Sequence, residues 1–265
     1  MIAFFILIHL PIFTLCDSEL HKPIISQDEI ATATSPIMDE YIYADKTRFV
    51  ELVLEEDPGR LFFSRPRRFG KTVFLRILEA VLQGRKEIFP GTDIYNSTYV
   101  WLLYPVMYFD MSILSINTAI ANELERFKEE EGIDEIPKKC MFVSDLEKTS
   151  PPLVVQHFRE ILCTMGSVKN RQVVVLVDEY DHFFLEQSND PVALTETTRI
   201  LRTWFTQFKN GAEYIKLAFV TGVTRSSFLF VGLPSGDFKD ISEMPKYAEL
   251  AGITEEEGAV PILWS

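Results

Sequence analysis

The sequence predicts an α/β fold built on a mostly parallel sheet with helices on both faces, and three observations lead to it. Apolar runs around 60–64, 105–112, 172–177 and 214–222 show little polar alternation, as strands buried on both faces do. Helical stretches separate these runs, the order that a parallel sheet requires. The first run leads through a Gly-Lys-Thr loop into a helix, and the third ends in two carboxylates, Asp178 and Glu179.

The chain has 265 residues, 47% hydrophobic and 25% charged, enough for one large α/β domain or two small ones. A net charge of -13 opposes non-specific attraction to a phosphate backbone, so nucleic acid is not the favoured partner. The densest basic patch is local: Arg65, Arg67, Arg68 and Lys71. Cys16, Cys140 and Cys163 form no C-x-x-C pair, and the four histidines show no metal-ligand spacing. Cys140 and Cys163 therefore read as reduced, buried small apolar residues.

Residues 1–16, MIAFFILIHLPIFTLC, are almost wholly apolar but shorter than the roughly 20 residues that span a bilayer. They suit the apolar region of a signal peptide, although no Lys or Arg precedes them. An uncleaved anchor and a start codon placed ahead of a cytosolic domain are the other two readings. Localisation follows that choice, secretory in the first case and cytoplasmic in the last. Residues 17–40 read as a linker or loosely packed arm, 41–257 as the folded domain and 258–265 as an atypical tail.

Within the domain, Phe49, Leu52 and Val53 recur at helical spacing up to the turn signal Asp57-Pro58-Gly59. RLFFS at 60–64 is a buried strand, and Val73, Leu75, Ile77, Leu78, Val81 and Leu82 mark a helix that stops at Gly84. PVMYFDMS supplies the next strand, followed by a helix over 118–131 and a surface insertion over 132–150. PPLVVQHFREILCTMG starts a helix at its two prolines, where a missing N–H costs little. QVVVLVDEYD is the strongest strand, a helix spans about 192–209, and YIKLAFVTG closes the series.

Residues 64–72, SRPRRFGKT, match three of the four fixed positions of G-x-x-x-x-G-K-[ST], with Arg65 where the first glycine would stand. Such a loop presents backbone N–H groups to phosphate oxygens at a helix N-terminus. Arg67, Arg68, Phe69, Gly70, Lys71 and Thr72 are the nucleotide-binding candidates. Lys71 supplies the charge, and Thr72 can ligate Mg2+. Pro66 fixes its own φ and holds Arg65 extended, so proline shapes the loop where glycine would normally turn it. Asp178 is the second candidate for the metal and Glu179 the group that orients an attacking water. Thr221, at the end of the last strand, is placed to touch the γ-phosphate or that water. Arg225 has two equal readings, a phosphate contact or an ion pair with Asp178 or Glu179.

These motifs resemble the AAA-ATPase-like family, P-loop NTPases of the catalytic-glutamate class often fused to a C-terminal nuclease-like domain. The resemblance runs over about 40–257 through Tyr43 to Thr47, Ser64 to Thr72, Pro105 to Ser112, Val175 to Asp181 and Thr221 to Arg225. It continues through Gly232-Leu233, Asp240-Ile241, Tyr247-Ala248 and Gly252 to Glu257. It implies a three-layer P-loop sandwich, ATP as ligand, Mg2+ with it, and Arg65 as a family feature. It also implies Asp45, Lys46 and Thr47 near the nucleotide, although Asp45 reads more plainly as a helix cap. GAVPILWS does not continue the helical pattern after TEEE, so the lid domain is expected to be largely missing. That expectation makes nucleotide affinity weak or turnover slow.

The leading reading is thus Mg-dependent ATP binding and hydrolysis by a switch domain, with a protein partner or homo-oligomer. Arginines donated between subunits are common in that class by resemblance, with Arg199, Arg202 and Arg225 as candidates. The alternative is a non-catalytic, exported interaction module that keeps the fold. A DNA-processing ATPase rests on family fusion partners alone.

Overall fold

A computed structural model of the chain describes residues 22–57, 59–112, 115–141, 152–186, 190–225 and 237–254. In chain order its elements are α1 (Gln27–Thr32), α2 (Ile37–Glu40), α3 (Arg48–Leu54), β1 (Arg60–Ser64), α4 (Lys71–Leu82) and α5 (Asp93–Asn96). There follow β2 (Val106–Asp110), α6 (Ile116–Glu131), α7 (Leu153–Ser167), β3 (Val173–Asp178) and α8 (His182–Glu186). The last are α9 (Pro191–Asn210), β4 (Ile215–Gly222) and β5 (Lys239–Asp240). Helix ends follow side-chain chemistry. Ser26 and Glu29 form a capping box on α1, Asp190 accepts from Val192 N and Ala193 N ahead of Pro191, and Gly132 ends α6 with φ 59°.

The five strands form one sheet in the order β2-β3-β4-β1-β5, and every pair is parallel. Alternate residues along a strand point to opposite faces, so each strand feeds two cores. Met107, Phe109, Val173, Val175, Val177, Ala218 and Val220 face a layer containing α6, α7 and α9. There Trp204 packs on Phe109, Phe158, Phe205 and Phe208 with ring centroids 4.8 to 5.6 Å apart. Leu61, Phe63, Val106, Tyr108, Val174, Leu176, Leu217 and Phe219 face the other layer, built on α1, α3 and α4. The result is a three-layer α/β sandwich with an all-parallel sheet, the architecture expected of a P-loop NTPase-like domain.

Two expectations are corrected. Residues 22–40 are not a linker: they carry α1 and α2 and bury Ile25, Ile30 and Ile37, and the Arg85 guanidinium donates to the carbonyls of Ile30 and Ala31. Helices of one or two turns are too short for apolar periodicity to show. Cys140 and Cys163 are not reduced but joined in a disulfide across 23 residues, which fastens the turn before residue 141 to α7. Folding brings them together, and nothing in their spacing announces it. The apolar segment at 1–16 and the tail at 258–265 lie outside the described residues, as do 142–150 of the expected insertion. Among the described residues, no helix is long and apolar enough to cross a membrane.

Candidate functional site

Parallel strands all point their C-terminal ends to one edge of the sheet, where ligands of open α/β folds bind. Strand register sets Ser64 beside Gly222 and Asp110 beside Asp178 at that edge. β1 lies between β4 and β5, so the loop that follows it emerges with a strand on either side, one strand in from the end of the sheet.

The loop turns through two left-handed residues, Arg68 with φ 65° and Gly70 with φ 79°. At Gly70 this conformation carries no steric cost, whereas Arg68 bears one of order 1 kcal/mol. Among the described residues, the backbone N–H groups of Arg67, Arg68, Phe69 and Gly70 have no acceptor. Residues 66 to 70 are exposed, and α4 begins at Lys71, so these donors add to the positive end of a 12-residue helix. Lys71 is 5% exposed, and its ammonium donates to the carbonyls of Arg65 (3.0 Å) and Pro66 (3.1 Å). Burial lowers its pKa, while the negative charges of Asp178, Glu179 and Asp181 oppose that shift. Thr72 is half-buried on the first turn of α4.

Arg65 takes no part in an open turn. Its N–H donates to Gly222 O, and its guanidinium donates to Ser64 O and Ser242 O while lying 4.8 Å over the Phe63 ring. Ser242 in turn accepts from Ser64 N at 2.9 Å, and Gly252 N donates to Phe69 O at 2.8 Å. The segment after β5 therefore holds the loop at both shoulders. Glu56 secures that segment, receiving bonds from Lys239, Lys246 and Tyr247.

The acidic side is more enclosed. Asp178 is 2% exposed, and its Oδ1 accepts from the Glu179 N–H (2.9 Å) and the Thr221 hydroxyl. Its Oδ2 accepts from the Tyr108 hydroxyl at 3.3 Å, and burial together with Asp178 pushes the Tyr108 pKa up. Glu179 has φ 49° and a half-buried carboxylate. Burial and then Asp178 raise its pKa, against the pull of His182, Arg67 and Lys71. His182 Nδ1 stands 3.9 Å from this carboxylate, and its Nε2 is 3.2 Å from Glu186.

The remaining candidates have partners of their own. Thr221 is fully buried and its hydroxyl donates to Asp178 Oδ1. Arg225 pairs with neither Asp178 nor Glu179 but with Asp240 (3.4 Å) and Glu243, on the segment that carries β5. Arg199 is paired with Glu196 on its own helix. Asp45 accepts from Thr47 N (2.9 Å) and Asp93 N (2.6 Å), joining the starts of α3 and α5 as a cap. Thr47 is fully buried and accepts from Ile94 N. Gly232-Leu233 and Glu255 to Glu257 lie outside the described residues.

Asp181 was not singled out from the sequence, although it is 1% exposed and takes three bonds from β4's end. The only signal was a third acid three residues beyond Asp178. Tyr108 was hidden likewise, as one more large residue in an apolar strand.

Comparison with known proteins adds the family. The chain is 30% identical over 221 residues to a protein of Azotobacter chroococcum mcd 1 described as an uncharacterized protein in the vnfD 5′ region. That match takes in 83% of this chain but 41% of the relative, so the chain spans less than half of that protein's length. The model of the AAA-ATPase-like family, described as "Predicted AAA-ATPase", matches residues 31–229, which include the loop, the Asp178-Glu179 pair and Thr221. Since that match covers most of the chain and the two motifs occupy one sheet edge in it, the protein belongs to the predicted AAA-ATPase family.

Proposed function

We propose that this chain binds ATP with Mg2+ at the 64–72 loop and hydrolyses it. One observation carries the reading: four consecutive loop N–H groups, without an acceptor among the described residues, stand at the start of a helix whose first residue is a buried lysine. That set of donors fits a polyphosphate, a ligand with many acceptor oxygens and several negative charges. Lys71 and the N–H groups of Arg67, Arg68, Phe69 and Gly70 hold the phosphates.

Thr72 and Asp178 would hold a magnesium ion, the one with a hydroxyl at the start of α4 and the other with a buried carboxylate at the end of β3. Bound there, the ion supplies Lewis-acid stabilisation of charge on the phosphoryl oxygens. Glu179 orients the attacking water and accepts its proton, a role that suits a carboxylate whose pKa burial raises. Arg67 and Arg68 are exposed, and their charges attract the nucleotide.

The test compares wild type with Lys71→Ala and Glu179→Gln, beginning at residue 17. With Mg2+ present, wild type and Glu179→Gln are expected to bind ATP alike, while Lys71→Ala binds about 100-fold more weakly. Hydrolysis by Glu179→Gln should fall by about 100-fold or more. Absence of binding by all three folded proteins removes the ATPase reading and leaves an interaction module.

A further inference from the structure

We infer that Asp181 is a positioning residue for Glu179: it ties the turn carrying Glu179 to the end of β4. The inference rests on the hydrolysis reading and assigns a task to a residue that does not itself reach the phosphates.

Glu179 holds a left-handed backbone conformation that a non-glycine residue adopts only when its surroundings enforce it. Those surroundings are bonds on both sides of it. Before it, Asp178 is fixed by Thr221 and Tyr108. After it, Tyr180 N donates to Thr221 O at 3.1 Å, and the Tyr180 hydroxyl donates to Thr224 O at 3.3 Å. Asp181 completes the set, because its Oδ2 accepts from Val223 N (2.8 Å), Thr224 N (2.8 Å) and the Thr224 hydroxyl (3.2 Å). Two consecutive N–H groups beyond a strand end have no other acceptor in the described structure. One carboxylate oxygen therefore ends β4 and anchors the turn at once.

The same carboxylate carries a cost that packing alone does not explain. Its Oδ1 is buried and accepts no hydrogen bond from the described residues, a state that native proteins avoid away from functional sites. It is enclosed beside Gly222, where an added Cβ would lie 2.8 Å from Oδ1 and 2.4 Å from Tyr180 Cε1. The close approach leaves the Glu179 turn one seat. Without Asp181, Glu179 is free to relax to an ordinary backbone conformation, and its carboxylate leaves the line of attack. Because the phosphate donors belong to another element, binding survives that relaxation.

The experiment measures Mg-ATP affinity, kcat and thermal melting for wild type, Asp181→Ala and Asp181→Asn. Asn keeps an oxygen able to accept from Val223 N and Thr224 N; Ala keeps none. Asp181→Ala is expected to bind within about threefold of wild type and to turn over about 100-fold more slowly. Asp181→Asn should recover kcat to within about tenfold. Where Asp181→Ala does not fold, Asp181→Ser, too short to reach both N–H groups, takes its place. Equal kcat in wild type and the Ala or Ser variant overturns the inference while leaving the hydrolysis reading intact. Affinity and kcat falling together, with no recovery in Asn, also overturns it, since that is the signature of a merely structural residue. Wild type that does not bind or hydrolyse ATP ends both readings.

Discussion

The loop at 64–72 and the turn at 178–181 both contain left-handed residues, Arg68 and Gly70 in one and Glu179 in the other, yet they are held by different means. The loop's tip is exposed, its N–H donors are open, and its bracing comes from residues 242 and 252, nearly two hundred positions downstream. The turn is bonded to the strand beside it, and Asp178, Tyr180 and Asp181 are almost completely buried. Under the proposed function, a site divided in this way keeps its carboxylates in place without ligand and leaves its cationic half to the nucleotide. Disturbing the turn should therefore act on stability and turnover, and disturbing the loop on affinity.

The largest effect is expected at Gly222, where the comparison can be broken. A Cβ there meets Tyr180 Cδ1 at 2.6 Å as well as Cε1 at 2.4 Å. The ring cannot retreat, being 1% exposed and packed edge-on against Phe62 at 5.5 Å. Gly222→Ala should cost about 2–3 kcal/mol of stability in urea unfolding, with most of the hydrolytic rate lost as the turn is displaced. A variant as stable as wild type would show that the turn has room to move and is no more fixed than the loop.

How far the sequence discloses this division depends on the element. β1 to β4 are legible because strands covered on both faces are continuously apolar. β5 is not, since it has two residues, Lys239 and Asp240, and owes its strand geometry to pairing with β1. The placement of the loop and the Asp178-Glu179 pair at one sheet edge is legible because each directly follows a strand that the sequence marks as buried. The bracing is not, because Arg65 to Ser242, Phe69 to Gly252 and Asp181 to Thr224 are contacts between distant segments that no local pattern encodes. Thr221 shows the intermediate case: its place at a strand end is readable, but its hydrogen-bond partner is decided by the neighbouring strand.

A second test acts on the loop's outer brace through pH. Burial alone would raise the Glu56 pKa, but hydrogen bonds from Lys239, Lys246 and Tyr247 outweigh it and bring the carboxyl to about 2 from an ordinary 4.5. A folded-state pKa below the unfolded one gives stability that is complete above pH 4.5 and is lost as pH falls toward 2. Allowing for partial solvent screening of the two lysines, the loss should be about 1–2 kcal/mol. Urea unfolding of wild type and Glu56→Gln across that window isolates it: their difference at pH 6 should shrink steadily below pH 4.5. A difference independent of pH would mean that the brace does not depend on this charge.

The smallest effect, and the one that sharpens the comparison most, is expected at Arg65. Its guanidinium joins the loop's start to Ser242 and covers Phe63, yet it remains partly exposed, so Arg65→Ala should cost only about 1 kcal/mol. If that loss is felt by the loop alone, ATP affinity falls about fivefold and turnover at saturating ATP is unchanged. Arg65→Gly separates the two ways of shaping a phosphate loop, since it restores the usual glycine and removes the guanidinium. Affinity in Arg65→Gly equal to wild type would mean that a flexible turn serves as well as the brace. Affinity as weak as in Arg65→Ala would mean that this loop, entered through Pro66 and held from Ser242, has come to depend on contacts from outside itself.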